Sequence, residues 1–312
     1  MRHLVAGWFL LSLSVMASAQ EPPADDPKRY DQSSIRLEED SPDPSLAKIV
    51  LVAGSKSHGP GDHEFFSGCV ILMKMLKQTP GVWPVMVRDG WPKNEKIFDG
   101  AKCVVFYMDG GGGHPIISRP DRIQRITDLT AKGVGFVNLH YAVEYPSKFN
   151  QSVFGWLGGY YETGFSTNPH WDADFKELPE HPITRGVKPF KIRDEWYFNI
   201  RFDGDMKGVT PILQSAPPDN VRGTAAAKKF PGRTEVVAWT YDRSGGGRSF
   251  GFTGGHTHKN WGDPNFRRLV TNAILWCAQI EVPKDGAKVQ FDNKELYWHM
   301  DNKGFNKPKG KK

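Results

Sequence analysis

The sequence predicts an α/β fold, a flavodoxin-like three-layer sandwich with a mostly parallel central sheet. Short apolar runs alternate with segments of helical periodicity through the first half of the chain. The apolar runs are continuous, as strands covered on both faces are. Four of them pass directly into loops that carry histidine: KIVLVAG into SKSHGPGDHEFF, KCVVFYMDG into GGGHP, GVGFVNLH into YAVEYP, and RSFGFTGG into HTHKN. In an open parallel sheet, ligands bind in the crevice beyond the carboxyl ends of the strands. One loop histidine means little; repetition at one sheet edge marks a candidate enzyme.

The elements follow in order. Residues 48–53 form the first strand. Asp62 or His63 then caps a helix to about Leu76, with Phe65, Cys69, Leu72 and Leu76 along one face. Strands follow at 83–88 and 103–108, the second bounded by Asp109 and four glycines. A helix over 119–131 presents Ile123, Ile126 and Leu129, Gly133 ends it, and 134–139 is the next strand. The second half is less regular. Residues 171–178, 209–214, 235–240 and 249–253 suit strands, and 266–277 suits a closing helix with Leu269, Ala273 and Trp276 inward. No linker divides residues 48–280, so one domain is expected over 47–280.

The flanks differ in character. Arg2 and His3, the apolar stretch 4–16 and Ala17-Ser18-Ala19 compose an export signal with cleavage before Gln20. The stretch is too short to span a bilayer comfortably, so export to a bacterial periplasm or secretion is expected, with no stable membrane span. Residues 20–46, rich in Pro, Asp, Glu and Ser, read as a low-complexity leader. The basic extension 281–312 is expected to drape over the domain, anchored by Phe291, Leu296, Tyr297 and Trp298. Much of the formal charge of +6 sits in that tail, and there is no basic helix or zinc-finger spacing, which argues against a nucleic-acid partner. The three cysteines, Cys69, Cys103 and Cys277, lie in apolar segments and read as buried thiols.

Several motifs, taken in order, resemble the ThuA-like (trehalose-utilisation) family of the class I glutamine-amidotransferase-like superfamily. They are HEFF from His63, GVGFVNLHYA from Gly133, HPITRGV from His181, DEWY from Asp194, EVVAWTYD from Glu235, GRSFGFTGGH from Gly247 and NAILW from Asn272. The resemblance spans about 48–279. It implies the flavodoxin-like sheet, bacterial sugar metabolism and a neighbouring sugar oxidoreductase as pathway partner. Amidotransferases of that superfamily place cysteine at a strand-to-helix elbow. Here Asn138-Leu139-His140-Tyr141-Ala142 offers His140 instead, so the thiolate that a glutaminase mechanism needs is missing.

His140 ends a buried strand, with Glu144 one turn on to fix its tautomer. His58 and His63 share a Gly-rich loop that can approach a ligand closely; a capping role for Asp62 or His63 competes with ligand contact. His256 and His258 form an H-x-H pair which, with His140 and Glu195, can hold zinc or manganese. The catalytic set is His140 as base, Glu195 as partner acid or ligand, and His63 and His256 as stabilisers of developing oxyanion charge. Substrate contacts fall to His58, His114, Glu144, Tyr141, Asp194 and Trp239. DGGGGH at 109–114 lacks the Lys and Ser/Thr of a P-loop and reads as a flexible pocket wall. These assignments describe a carbohydrate-active enzyme acting on a modified, 3-keto sugar or glycoside. The alternatives are a noncatalytic carbohydrate-binding protein and a metal-dependent ester or amide hydrolase. The chemistry expected is His/carboxylate acid-base, without a metal, or metal-assisted, and no other cofactor is indicated.

Overall fold

The computed structural model describes residues 26–304, and the expected export signal at 1–19 lies outside them. The chain runs β1 (Ala47–Ala53), α1 (Phe65–Leu76), β2 (Val82–Val87), β3 (Cys103–Tyr107), α2 (Pro120–Ala131) and β4 (Gly135–Leu139). It continues through α3 (Asn150–Leu157), β5 (Gly159–Tyr160), β6 (His170–Phe175), β7 (Phe190–Glu195), β8 (Arg201–Phe202) and β9 (Val209–Ser215). β10 (Glu235–Asp242), β11 (Arg248–Phe252) and α4 (Pro264–Cys277) close it.

A seven-stranded sheet has the order β2-β1-β3-β4-β11-β10-β9. The five strands from β2 to β11 pair in parallel, and β10 is antiparallel to both its neighbours. The chain is therefore an α/β sandwich with a mixed, mostly parallel sheet. Alternate residues of each strand feed two cores. Ile49, Leu51, Val105, Val137 and Phe250 pack with α1 and α4, while Val50, Val52, Val104 and Phe136 pack with α2 and α3. Each fully buried aliphatic side chain contributes about 1.5–3 kcal/mol, which explains the unbroken apolar runs. Two short ribbons, β5-β8 and β6-β7, lie outside the main sheet.

Local signals account for the helix ends. Asp263 accepts from the Asn265 and Phe266 amides at 2.7 and 3.2 Å, and Pro264 occupies the first turn, so α4 begins two residues before Phe266. α1 starts at Phe65 without a side-chain cap. The expected cap at Asp62 or His63 is replaced by a loop in which Glu64 accepts from the Gly61 amide at 3.0 Å. α3 went unpredicted because it is short; Gly158 ends it at φ 75°, where a Cβ would meet Tyr241 and Val209 at 2.8 Å.

α1 is buried at every residue except Lys74 rather than along one stripe. The flanking segments supply the extra cover. Ser67 donates to the Trp298 carbonyl at 2.7 Å and Lys74 meets Glu295 at 2.6 Å. Leu296, Tyr297 and Met300 join the core, with Tyr30, Ile35 and Leu37 packed against it. The two flanks also interlock, since the His299 and Met300 amides donate to the Lys28 and Arg29 carbonyls.

Candidate metal centre

The loops after β1, β3, β4 and β11 meet beyond the carboxyl ends of their strands. They deliver His63, Asp109, His140 and His256, and β7 ends at Glu195 facing them. His63 and His140 hold left-handed backbone, at φ 49° and 54°. Such conformations cost energy in non-glycine residues and cluster at functional sites. The His256 loop is fixed by the buried Asp194 carboxylate, which accepts from the Gly255 amide at 2.7 Å and the Thr257 amide at 3.0 Å. A backbone bond of 2.9 Å from the His63 amide to the His256 carbonyl ties the first loop to the last.

Four ligand atoms converge. His63 Nε2 lies 2.9 Å from His256 Nδ1 and 3.0 Å from His140 Nε2, and the latter two are 3.3 Å apart. Glu195 Oε2 lies 2.9 Å from His256 Nδ1 and 3.5 Å from His140 Nε2. Ligands bound tetrahedrally at ordinary zinc distances stand about 3.3 Å from each other. The outward nitrogens explain the arrangement. His63 Nδ1 meets Asp109 Oδ1 at 3.0 Å, His140 Nδ1 meets the Thr253 carbonyl at 2.9 Å, and His256 Nε2 faces Asp62 Oδ1 at 3.4 Å. Carbonyls and carboxylates only accept, so those nitrogens carry the protons and the inward nitrogens are left as lone pairs. Oxygen acceptors behind metal-binding histidines do the same work in known metal sites. Among the described residues, three imidazole lone pairs and a carboxylate oxygen thus share one point, and the donor set fits a divalent cation.

The same geometry demands positive charge when no metal is present. Burial pushes the His256 pKa down, but hydrogen bonds to Asp62 and Glu195 outweigh it and lift the pKa to about 9. His63 goes the other way, to about 3, because burial outweighs its hydrogen bond to Asp109 and the charge on His256 repels a second proton. Burial would raise Glu195, yet its close contacts with the imidazoles, above all the hydrogen bond from protonated His256, hold it well below the carboxylate range. A single proton on His256 therefore fills the metal-free knot, and a cation would displace it.

The structure brings His63, His140, Glu195 and His256 together and separates the remaining candidates. His58 stacks on His63 at 3.6 Å between ring centroids, and Tyr141 stands edge-on to His63 at 5.9 Å. Both lie at the rim. Glu144 does not orient His140; it accepts from Thr163 at 2.8 Å near Tyr141 and Gly111. His258 is corrected as a ligand: it is fully buried and its Nε2 faces the Leu296 carbonyl, because a tight turn at 258–262 points it toward the C-terminal segment. His114 is a buried cap and not a substrate contact, with Nε2 3.1 Å from the Ala142 carbonyl and Nδ1 accepting from the Ile116 amide. Trp239 is core, its indole N–H on the Leu157 carbonyl at 2.9 Å. Asp194 is likewise turned inward, as described. His181 caps the turn at Pro182–Thr184.

Sequence reasoning did not single out Asp109, Tyr197 and His170, which the structure places beside the cluster. Asp109 follows β3 at the same sheet edge as the histidines, so the strand-end rule could have found it. The Tyr197 hydroxyl is buried 3.5 Å from His140 Nε2. The His170 ring stands 4.8 Å from that of His256, because the β6-β7 register sets His170 opposite Glu195. All three cysteines are buried and free, and burial pushes their thiols far above the ordinary range. No helix among the described residues is long and apolar enough to cross a membrane.

Comparison with known proteins gives the family. No curated protein matches the chain. A ThuA-like protein from Parabacteroides merdae is 18% identical with a TM-score of 0.56, covering 81% of this chain and 99% of its own. One from Bacteroides uniformis is 15% identical with a TM-score of 0.55, covering 77% of this chain and 94% of its own. A cytoplasmic protein of Salmonella typhimurium is 11% identical with a TM-score of 0.45, covering 78% of this chain and all of its own. The export expected from residues 1–19 rests on a segment outside the described residues and is not carried further. The profile of the trehalose-utilisation family, ThuA, matches residues 52–277, and the chain belongs to that family.

Proposed function

We propose that this chain is a metal-dependent carbohydrate enzyme acting on a modified sugar, a 3-keto-glycoside or its product. The observation that carries the reading is the convergence of His63, His140, His256 and Glu195, each histidine backed by an oxygen acceptor. These residues would hold zinc or manganese. Such an ion, when bound, supplies Lewis acidity toward a carbonyl oxygen and activates water. Family membership supports the sugar.

With His140 engaged as a ligand, its role as free base passes to the rim. Burial holds the Glu144 carboxyl above its ordinary range, and the nearby Glu195 charge adds to this. A carboxyl poised closer to neutrality exchanges protons more effectively. A ketone acidifies the neighbouring C–H, so Glu144 would take that proton and return it in an isomerisation or β-elimination. His58, Tyr141 and His170 would bind sugar hydroxyls, and Tyr197 would donate toward the reacting oxygen. A sugar oxidoreductase would supply such a ketone.

The test is turnover of 3-keto-glycosides by the metal-loaded chain and by Glu144→Gln. The substitution should lower kcat by about 10²–10⁴-fold at unchanged metal content. Full activity in the variant would remove Glu144 from the mechanism. A second reading, metal-dependent hydrolysis of an ester or amide, rests on the same ligands; release of acid from such substrates without turnover of keto-sugars would favour it.

A further inference from the structure

The C-terminal segment reaches the metal-binding loop from behind. Lys303 lies outside the 52–277 region that matches the family profile, and its side chain is 2% exposed. Its ammonium meets the Asp62 carbonyl, the His63 carbonyl at 3.1 Å and Glu64 Oε1 at 3.2 Å, with the Gly59 carbonyl further off at 3.5 Å. An ammonium has three protons, and three close acceptors take them. Glu64 is fully buried, and its other oxygen accepts from the Asp301 amide at 2.9 Å. Two of the carbonyls belong to the turn that sets His63 in left-handed backbone.

A surface lysine would bring little to such a turn. A buried ion pair is costly to desolvate, and breaking one by removing a single partner is strongly destabilising. Here the pair grips the short stretch whose conformation aims His63 Nε2 at His140 and His256. The segment is itself anchored elsewhere. Trp298 donates to Asp26 at 3.2 Å, and Gln32 donates to the His299 carbonyl at 3.0 Å and to Asp301 at 3.1 Å.

We infer that Lys303 is a positioning residue for the candidate metal centre: the C-terminal strap, through the Lys303–Glu64 pair, holds the 59–64 loop so that His63 completes the ligand set. This rests on the metal reading above. The experiment compares the full chain with Lys303→Met, Lys303→Arg and Lys74→Met. Lys74→Met removes the strap's ion pair with Glu295 and leaves the His63 loop untouched.

Zinc affinity is measured by competition with a chromophoric chelator, and the cobalt-substituted spectrum reports the ligand set. In the metal-free chain, long-range proton–nitrogen NMR of the His63 ring reports its tautomer. Lys303→Met should weaken zinc by about 10- to 100-fold, as loss of groups behind metal ligands does. It should also shift the cobalt bands and mix the His63 tautomers. Lys303→Arg should restore part of the affinity, and Lys74→Met should lower thermal stability alone. Unchanged zinc affinity and an unchanged His63 spectrum in Lys303→Met would overturn the inference. So would equal losses in Lys303→Met and Lys74→Met, since the strap would then act only through general stability. If the unsubstituted chain takes no zinc or cobalt, the metal reading fails by itself, and the His63 tautomer spectra still decide the positioning role. Should Lys303→Met not fold, the same measurements on Lys303→Arg decide it, an unaltered cobalt spectrum and affinity with altered loop contacts counting against the inference.

Discussion

Asp194 offers the sharpest test of how the site is held, because replacing it with Asn removes a charge and little volume. Its carboxylate accepts from the amides of Glu195, Gly255 and Thr257 at 2.9, 2.7 and 3.0 Å, and it is fully buried. Oδ2 serves Gly255 and Oδ1 serves the other two. Whichever way the Asn amide turns, its NH₂ group faces at least one backbone N–H. Hydrogen bonds to charged groups contribute about 1.5–3 kcal/mol, and an orphaned buried donor costs about 1–3. Asp194→Asn should therefore lose about 2–4 kcal/mol, allowing for overlap between the two effects. For a chain of this size that lowers Tm by roughly 3–7 °C. Since His256 rides on the released loop, zinc affinity should fall by about tenfold or more. The assays are thermal unfolding followed by circular dichroism at pH 7 and chelator competition for zinc. A Tm within about 1 °C of the unsubstituted chain, with unchanged zinc affinity, would refute the reasoning.

Two other predictions separate structural histidines from ligands. His258→Ala should lower Tm by removing the contact with the Leu296 carbonyl, yet leave metal stoichiometry intact; His256→Ala should abolish binding, as metal analysis after dialysis would reveal. His114, fully buried, has its pKa depressed by burial to about 3. Its folded value lies below the unfolded one near 6.5, so the neutral ring's contribution is complete above pH 6.5 and is lost as pH falls toward 3. Denaturant titrations across that window should show a declining midpoint, and His114→Phe should flatten the decline while lowering stability at pH 7.

The sheet and the meeting of histidines at its edge were legible because both follow from chain order. A continuous apolar run such as 49–53 has few alternatives to a buried parallel strand, and the residue after it must leave at the sheet edge. Which histidine turns inward was not legible. In HTH, His256 joins the knot and His258 points the opposite way; alternation would have faced them together, but Asp194 and the turn after Thr257 override it. Asp194 and Glu195 are adjacent in sequence and opposite in role, one buried beneath a loop and the other aimed at the ligands. Only tertiary packing distinguishes them. The unbroken burial of α1 was also invisible in its periodicity, because its outer cover comes from both flanks of the chain, part of it more than two hundred positions away.

The central claim is that four side chains share one cation, and anomalous scattering tests it directly. Crystals of the full chain grown from metal-replete buffer would be measured at the zinc and manganese edges. The account predicts one peak about 2.0–2.2 Å from His63 Nε2, His140 Nε2, His256 Nδ1 and Glu195 Oε2. A peak held instead by the neighbouring group of His58, His63 and Asp109, or no peak at this sheet edge at all, would contradict it.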